Sequence, residues 1–145
     1  MKIAMITPGY LPVPAVHGGA VEILIQRLIE GNENFRKNQI DLYTIDDEQL
    51  SNVEYENTKI IRLKIGRRLK VFNRIVNYLY KIFKMKKYTT SYSRAVVREI
   101  KNKSYDYVIV QNNLMAYRDI YEKTNNRNNL IVLLHNDINI KDENH

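Results

Sequence analysis

Residues 2–29 read KIAMITPGYLPVPAVHGGAVEILIQRLI, and the order of residue types in that stretch decides the fold class. KIAMIT (2–7) is a short apolar run that meets a Pro-Gly breaker, which predicts a buried strand. From Ala20, apolar residues recur at Val21, Leu24, Ile25, Leu28 and Ile29, which is helical spacing. Between strand and helix lies a loop that holds all three prolines and three of the five glycines of the chain, within residues 8–19. Proline stiffens such a loop. Glycine lets a ligand approach the backbone with no Cβ in the way.

The same alternation continues outward. IDLYTI (40–45) and KIIRLK (59–64) read as strands, separated by an acidic, Asn-rich loop. Leu69, Phe72, Ile75, Val76, Leu79, Ile82 and Phe83 follow helical spacing, and a second helical stretch covers about 90–103. YDYVIVQ (105–111) is a strand, 114–124 a helix, and LIVLL (130–134) a fifth strand ahead of the polar tail HNDINIKDENH. Strands alternating with helices predict an α/β, Rossmann-like parallel sheet with helices on both faces. KIAMIT, YVIVQ and LIVLL are apolar on both sides and are expected at its centre.

The 145 residues suffice for one domain with a core. The chain has no cysteine, so disulfides, thiolate metal sites and cysteine nucleophiles are excluded, and a reducing cytoplasm is the simple reading. No apolar run reaches the ~18 residues of a membrane span. His17, His135 and His145 are too far apart in sequence for a close-set metal motif, so no metal is expected. There is no G-x-S-x-G elbow, no Walker motif and no G-x-G-x-x-G nicotinamide fingerprint.

The net charge of +7 is local. Residues 67–103 hold 12 Lys or Arg and a single acid, Glu99. Within that stretch Arg67, Arg68, Lys70, Arg74, Lys81, Lys84, Lys86 and Lys87 flank the apolar stripe, with Tyr78, Tyr80, Tyr88 and Tyr92 nearby. The simplest reading of the stripe is the face that packs on the sheet. The basic flank with its aromatics suits an anionic membrane surface. Nucleic acid is the rival partner and is not expected, because no RRM, KH or zinc signature accompanies the charge.

Ligands of an open α/β sheet bind beyond the carboxyl ends of its strands, which singles out a few residues. Gly18 and Gly19 stand where the first helix begins, and a helix N-terminus attracts phosphate. The alternative is that they merely permit a tight turn. His17 either donates to a ligand or is an exposed loop histidine. Glu22 either contacts a ligand hydroxyl or complements the helix dipole. Asn112, His135, Asn136 and Asp137 follow strands, where site residues and turn-forming residues both collect.

MKIAMITPGYLPVPAVHGGAVEILIQRLIEGNE (1–33), VIVQNN (108–113) and LLHND (133–137) together resemble the N-terminal domain of the retaining glycosyltransferases of family four, which have the two-domain GT-B fold. The resemblance spans essentially the whole chain. It implies a domain that mainly holds the acceptor, with Gly18 and Gly19 facing the diphosphate of a nucleotide-sugar donor and His17, Glu22, Asn112, His135, Asn136 and Asp137 near the acceptor. It implies transfer of a sugar to a saccharide or lipid-linked acceptor in bacterial surface polysaccharide synthesis, at the cytoplasmic face of the membrane, with no required metal and no cofactor beyond the nucleotide-sugar substrate. Gln111 stands where the family has an active-site histidine. Glutamine does not exchange a proton near neutral pH, though it can hydrogen-bond a hydroxyl. The family's C-terminal donor domain has no counterpart in these residues, so the chain alone is expected to be inactive. The alternatives are a non-catalytic module that docks a separate donor-binding subunit or a membrane and, more distantly, a basic nucleic-acid-binding domain.

Overall fold

The computed structural model describes residues 1–83 and 89–135. Lys84, Lys86, Lys87, Asn136 and Asp137 therefore lie outside the described residues, as does Tyr88. The elements are β1 (Lys2–Ile6), α1 (Ala20–Phe35), β2 (Gln39–Ile45), β3 (Thr58–Leu63), α2 (Arg67–Ile82), α3 (Ser91–Ile100), β4 (Tyr107–Gln111), α4 (Leu114–Lys123) and β5 (Leu130–Leu133). Short 3-10 turns at Glu48–Asn52 and Arg127–Asn129, within stretches the sequence marks only as loops, complete the described elements.

The five strands form one sheet in the order β3-β2-β1-β4-β5, and every pair is parallel. This is a Rossmann-like α/β sheet. Successive side chains of a strand face opposite ways, which yields two cores. Ile3, Met5, Ile40 and Leu42 pack with Ile25 and Ile29 of α1 and with Val13 of the Pro-rich loop. Ala4, Ile6, Tyr43, Val108 and Val110 pack with Tyr92, Val96 and Ile100 of α3 and Ala116 and Ile120 of α4. Each Val, Leu, Ile or Met among them, fully buried, stabilises by roughly 1.5–3 kcal/mol.

Two expectations need correction. LIVLL does not lie at the centre: β5 ends the sheet, paired only to β4 among the described residues. Its Ile131 and Leu133 are each 39% exposed. A run apolar on both sides reports what a strand can bury, and strand order is set by the crossovers instead.

The second correction concerns α2: of its apolar stripe Phe72, Ile75, Leu79, Ile82 and Phe83 are exposed, while Leu69 and Val76 turn toward the body. At about 100° per residue, Val71, Phe72, Ile75, Leu79, Ile82 and Phe83 fall on one arc and Leu69, Asn73, Val76, Asn77 and Tyr80 on the opposite one. The second arc is the half-buried one. Asn77 bonds the backbone of Thr89 through both its Nδ2 and Oδ1, Asn73 Oδ1 accepts from Arg94 Nε at 2.9 Å, and Leu69 touches the core. Val71, Phe72, Ile75 and Ile82 are 47%, 53%, 53% and 54% exposed. The helix is thus held by its amides and by Leu69, and it turns most of its apolar stripe outward.

β1 leads into the loop through Thr7, Pro8 and Gly9. Thr7 is fully buried, its hydroxyl 2.9 Å from the Tyr92 hydroxyl. Gly9 has φ 86°, and a Cβ there would lie 2.5 Å from the Tyr92 ring. The Pro-Gly breaker is therefore also a packing requirement: the chain leaves β1 pressed against a buried aromatic. Burial pushes the Tyr92 hydroxyl well above the usual tyrosine range.

Candidate functional site

The strand order reverses between β1 and β4, so the ligand crevice of such a sheet opens beyond their carboxyl ends. There, Asn113 caps α4 by accepting from the Ala116 N–H at 2.9 Å. Its Nδ2 reaches back to the Pro8 carbonyl at 2.8 Å. One side chain thereby starts a helix and ties the ends of β1 and β4 together.

Gln111 closes β4 and is fully buried. Its Oε1 lies 2.7 Å from His135 Nε2, so that nitrogen carries the proton. Gln111 Nε2 is buried with no hydrogen-bond partner among the described residues. His135, just beyond β5, is half-buried. Asn112 sits at φ 49° and donates its N–H to the Leu133 carbonyl at 2.7 Å, which draws the ends of β4 and β5 together. The sequence-predicted residues Gln111, Asn112 and His135 therefore form one cluster.

Gly18, Gly19 and Glu22 form another, at the start of α1. The loop is fixed by its own bonds: Val13 N–H to Thr44 Oγ1 at 2.8 Å, and Ala15 N–H to Gln26 Oε1 at 2.9 Å. Both glycines have positive φ, 80° and 96°. Open space surrounds Gly18, whereas a Cβ on Gly19 would meet Glu22 Oε2 at 2.2 Å. The Glu22 carboxylate, buried, therefore lies over Gly19 at the positive end of α1, which is the dipole-complementing arrangement. A phosphate at Gly19 would need that carboxylate to turn away.

His17 faces elsewhere. Its Nε2 pairs with Asp47 Oδ2 at 2.8 Å, linking the loop to the end of β2. The Gln49 N–H first, and His17 second, hold the Asp47 carboxyl below its ordinary range. Asp46 and Gly9 line a cleft of about 500 Å³ that runs past Leu63 to Gly66 at the ends of β2 and β3. Sequence reasoning missed both aspartates. The available signal was their place directly after a buried strand.

Among the described residues no group of three or more His, Asp or Glu could hold a metal. No described helix is long and apolar enough to cross a membrane. No protein-family model, curated protein or solved structure matches the chain, so fold and site rest on its own geometry.

Proposed function

We propose that the chain is the acceptor-side half of a retaining GT-B glycosyltransferase, moving a sugar from a nucleotide-sugar to a saccharide or lipid-linked acceptor in surface polysaccharide synthesis. The observation that supports this best is Gln111. A buried amide donor without a partner costs about 1–3 kcal/mol, and this one, unpartnered among the described residues, sits at the ligand end of a Rossmann-like sheet. A sugar hydroxyl would supply the missing acceptor once the buried site opens to admit it. Gln111 then orients that hydroxyl while His135 holds the amide through its Oε1. In the reaction the anomeric bond to the donor diphosphate breaks, a bond from the anomeric carbon to the acceptor oxygen forms, and the nucleoside diphosphate leaves with the proton of the acceptor hydroxyl. The donor site of the proposed enzyme would lie on a second Rossmann-like unit, and these residues by themselves are proposed to be inactive.

The test is titration of the isotope-labelled chain, followed by NMR, with UDP, GDP and a short-chain prenyl-diphosphate saccharide. The saccharide probe is expected to shift the amides of Gln111, Asn112, Asn113 and His135, and Gln111→Ala to abolish those shifts. UDP and GDP are expected to bind weakly at best. No sugar should be transferred. Unmoved amides with the saccharide probe would overturn the acceptor site, and turnover by the purified chain would overturn the half-enzyme reading.

A separate observation favours a membrane setting. The outward arc of α2 is apolar, and Arg67, Arg74 and Lys81, all exposed, follow one edge of it. We propose that this face rests on the anionic inner surface of the cell membrane, where lipid-linked acceptors reside. A hydrophobic arc with a basic flank suits that interface. The competing occupant is a separate donor-binding subunit. Vesicles of phosphatidylcholine with 20 mol% phosphatidylglycerol (about the charge density used to mimic an anionic leaflet) are expected to sediment the chain. Neutral vesicles should not, and salt should release it as the Debye length contracts to about 3 Å at 1 M. Equal binding to both vesicle types would remove the electrostatic part of the reading.

A further inference from the structure

The basic residues of α3 lie outside the stripe that the sequence singles out, and they form a site of their own. Arg94, Arg98 and Lys101 recur at helical spacing on the face of α3 opposite its buried residues Tyr92, Ala95, Val96 and Ile100. With Val97 and with Lys123 at the end of α4, they line a pocket of about 230 Å³. At about 30 Å³ per water, that holds a phosphate group and several waters. Two arginines and two lysines thus line it. Two carboxylates are near. Glu99 meets Arg98 at 3.7 Å and is partly exposed. Asp119, buried beneath, holds Lys123 Nζ at 3.0 Å. Among the described residues the four lining cations outnumber these two acids, and Asp119 also meets Arg118 at 3.4 Å.

Arg94 joins this pocket to α2. Its guanidinium stacks over the Phe72 ring at 5.3 Å, its Nε is fixed by Asn73, and its Nη2 is buried with no hydrogen-bond partner among the described residues. Phe72 belongs to the outward arc and, with Arg67, Arg68, Val71 and Ile75, lines an apolar groove on it. The basic pocket and the hydrophobic arc are thus continuous through one arginine–phenylalanine contact.

We propose that the pocket formed by Arg94, Arg98, Lys101 and Lys123 holds the phosphate of an anionic lipid headgroup while the apolar arc of α2 enters the bilayer surface. This rests on the membrane reading of α2 and adds to it a defined headgroup site. Charge complementarity selects the occupant. Arginine forks match phosphate oxygens in pairs, and the adjoining arc supplies the place for acyl chains. A soluble phosphate would use the pocket and leave the arc bare.

The experiment uses the full chain and vesicles of phosphatidylcholine with 20 mol% phosphatidylglycerol. Arg98→Gln/Lys101→Gln is compared with Lys37→Gln/Lys59→Gln, which removes the same charge from exposed positions on other elements. The pocket pair is expected to weaken binding about tenfold. The control pair is expected to weaken it less than threefold, and the melting temperatures of both to match wild type. Equal losses in the two pairs would reduce the site to diffuse attraction and overturn the proposal. So would inorganic phosphate that shifts the Arg98 and Lys101 resonances saturably at constant ionic strength, with vesicle binding of the pocket pair undiminished, because that marks a soluble-anion site. Wild-type chain that ignores anionic vesicles would overturn the membrane reading itself, which separates the two failures.

Discussion

Replacing Val71, Ile75 and Ile82 together by Ser is expected to release the chain from anionic vesicles and to leave its melting temperature unchanged or higher. The two halves of that result have one cause. All three side chains lie on the outward arc, 47%, 53% and 54% exposed, so the folded chain loses almost no packing when they shrink. Serine and isoleucine have similar helix propensities, and Asn73, Asn77 and Leu69, which hold α2 to the body, are untouched. At the membrane the same residues bury apolar surface. At about 25 cal/mol per Å², half-burying three of them contributes about 3 kcal/mol, or about a hundredfold in affinity. Co-sedimentation and calorimetry read the two halves separately. Had the stripe packed on the sheet, each truncation would cost about 2–5 kcal/mol, and the melting temperature would fall by more than about 10 °C. That fall would refute the outward face.

The direction of α2 marks where sequence reading stops. Period 3.6 reveals that a helix has an apolar side, and a globular chain ordinarily buries it. It does not reveal that the polar side carries Asn73 and Asn77, whose amides are spent on Arg94 and on the backbone of Thr89. β1 and β4 were legible as interior strands because both their faces are apolar and both faces are covered. β5 carries the same signal and lies at the edge, because pairing partners are a long-range choice that leaves no local pattern.

The site divides in the same way. Gln111 and His135 could be placed together from sequence because each ends a strand, and parallel strands bring their ends to one side. The His17–Asp47 pair joins residues 30 positions apart on two loops, and no periodicity connects loops. Glu22 has two roles open in the sequence, and its carboxylate lies beside Gly19 at the start of α1.

Asp119 was not legible either, since helix 114–124 reads as an ordinary surface helix, and its replacement by Ala is expected to cost about 3–5 kcal/mol. Asp119 is 1% exposed. Its Oδ2 accepts from Thr89 Oγ1 at 2.5 Å and from Ser93 Oγ at 2.7 Å, and its Oδ1 accepts from Lys123 Nζ at 3.0 Å. This joins the segment after α2, the start of α3 and the body of α4. Alanine would strand two buried hydroxyls and leave Lys123 without its counter-charge, while Asp119→Asn keeps one acceptor and should cost less. The effect depends on pH in a definite direction. Burial by itself raises the carboxyl, but the bonds from Thr89, Ser93 and Lys123 outweigh it and hold the folded value below the ordinary 3.8. The unfolded chain therefore takes up the proton first as pH falls. The stabilisation is fully present above about pH 4, where the unfolded carboxyl is ionised, and is lost as pH falls through the folded value. Urea unfolding at pH 7 and near pH 3 measures it: the gap between wild type and Asp119→Ala should be wide at the first and narrower at the second. A gap that is absent at pH 7, or equally wide at both, would show that the carboxylate is not what binds α3 to α4.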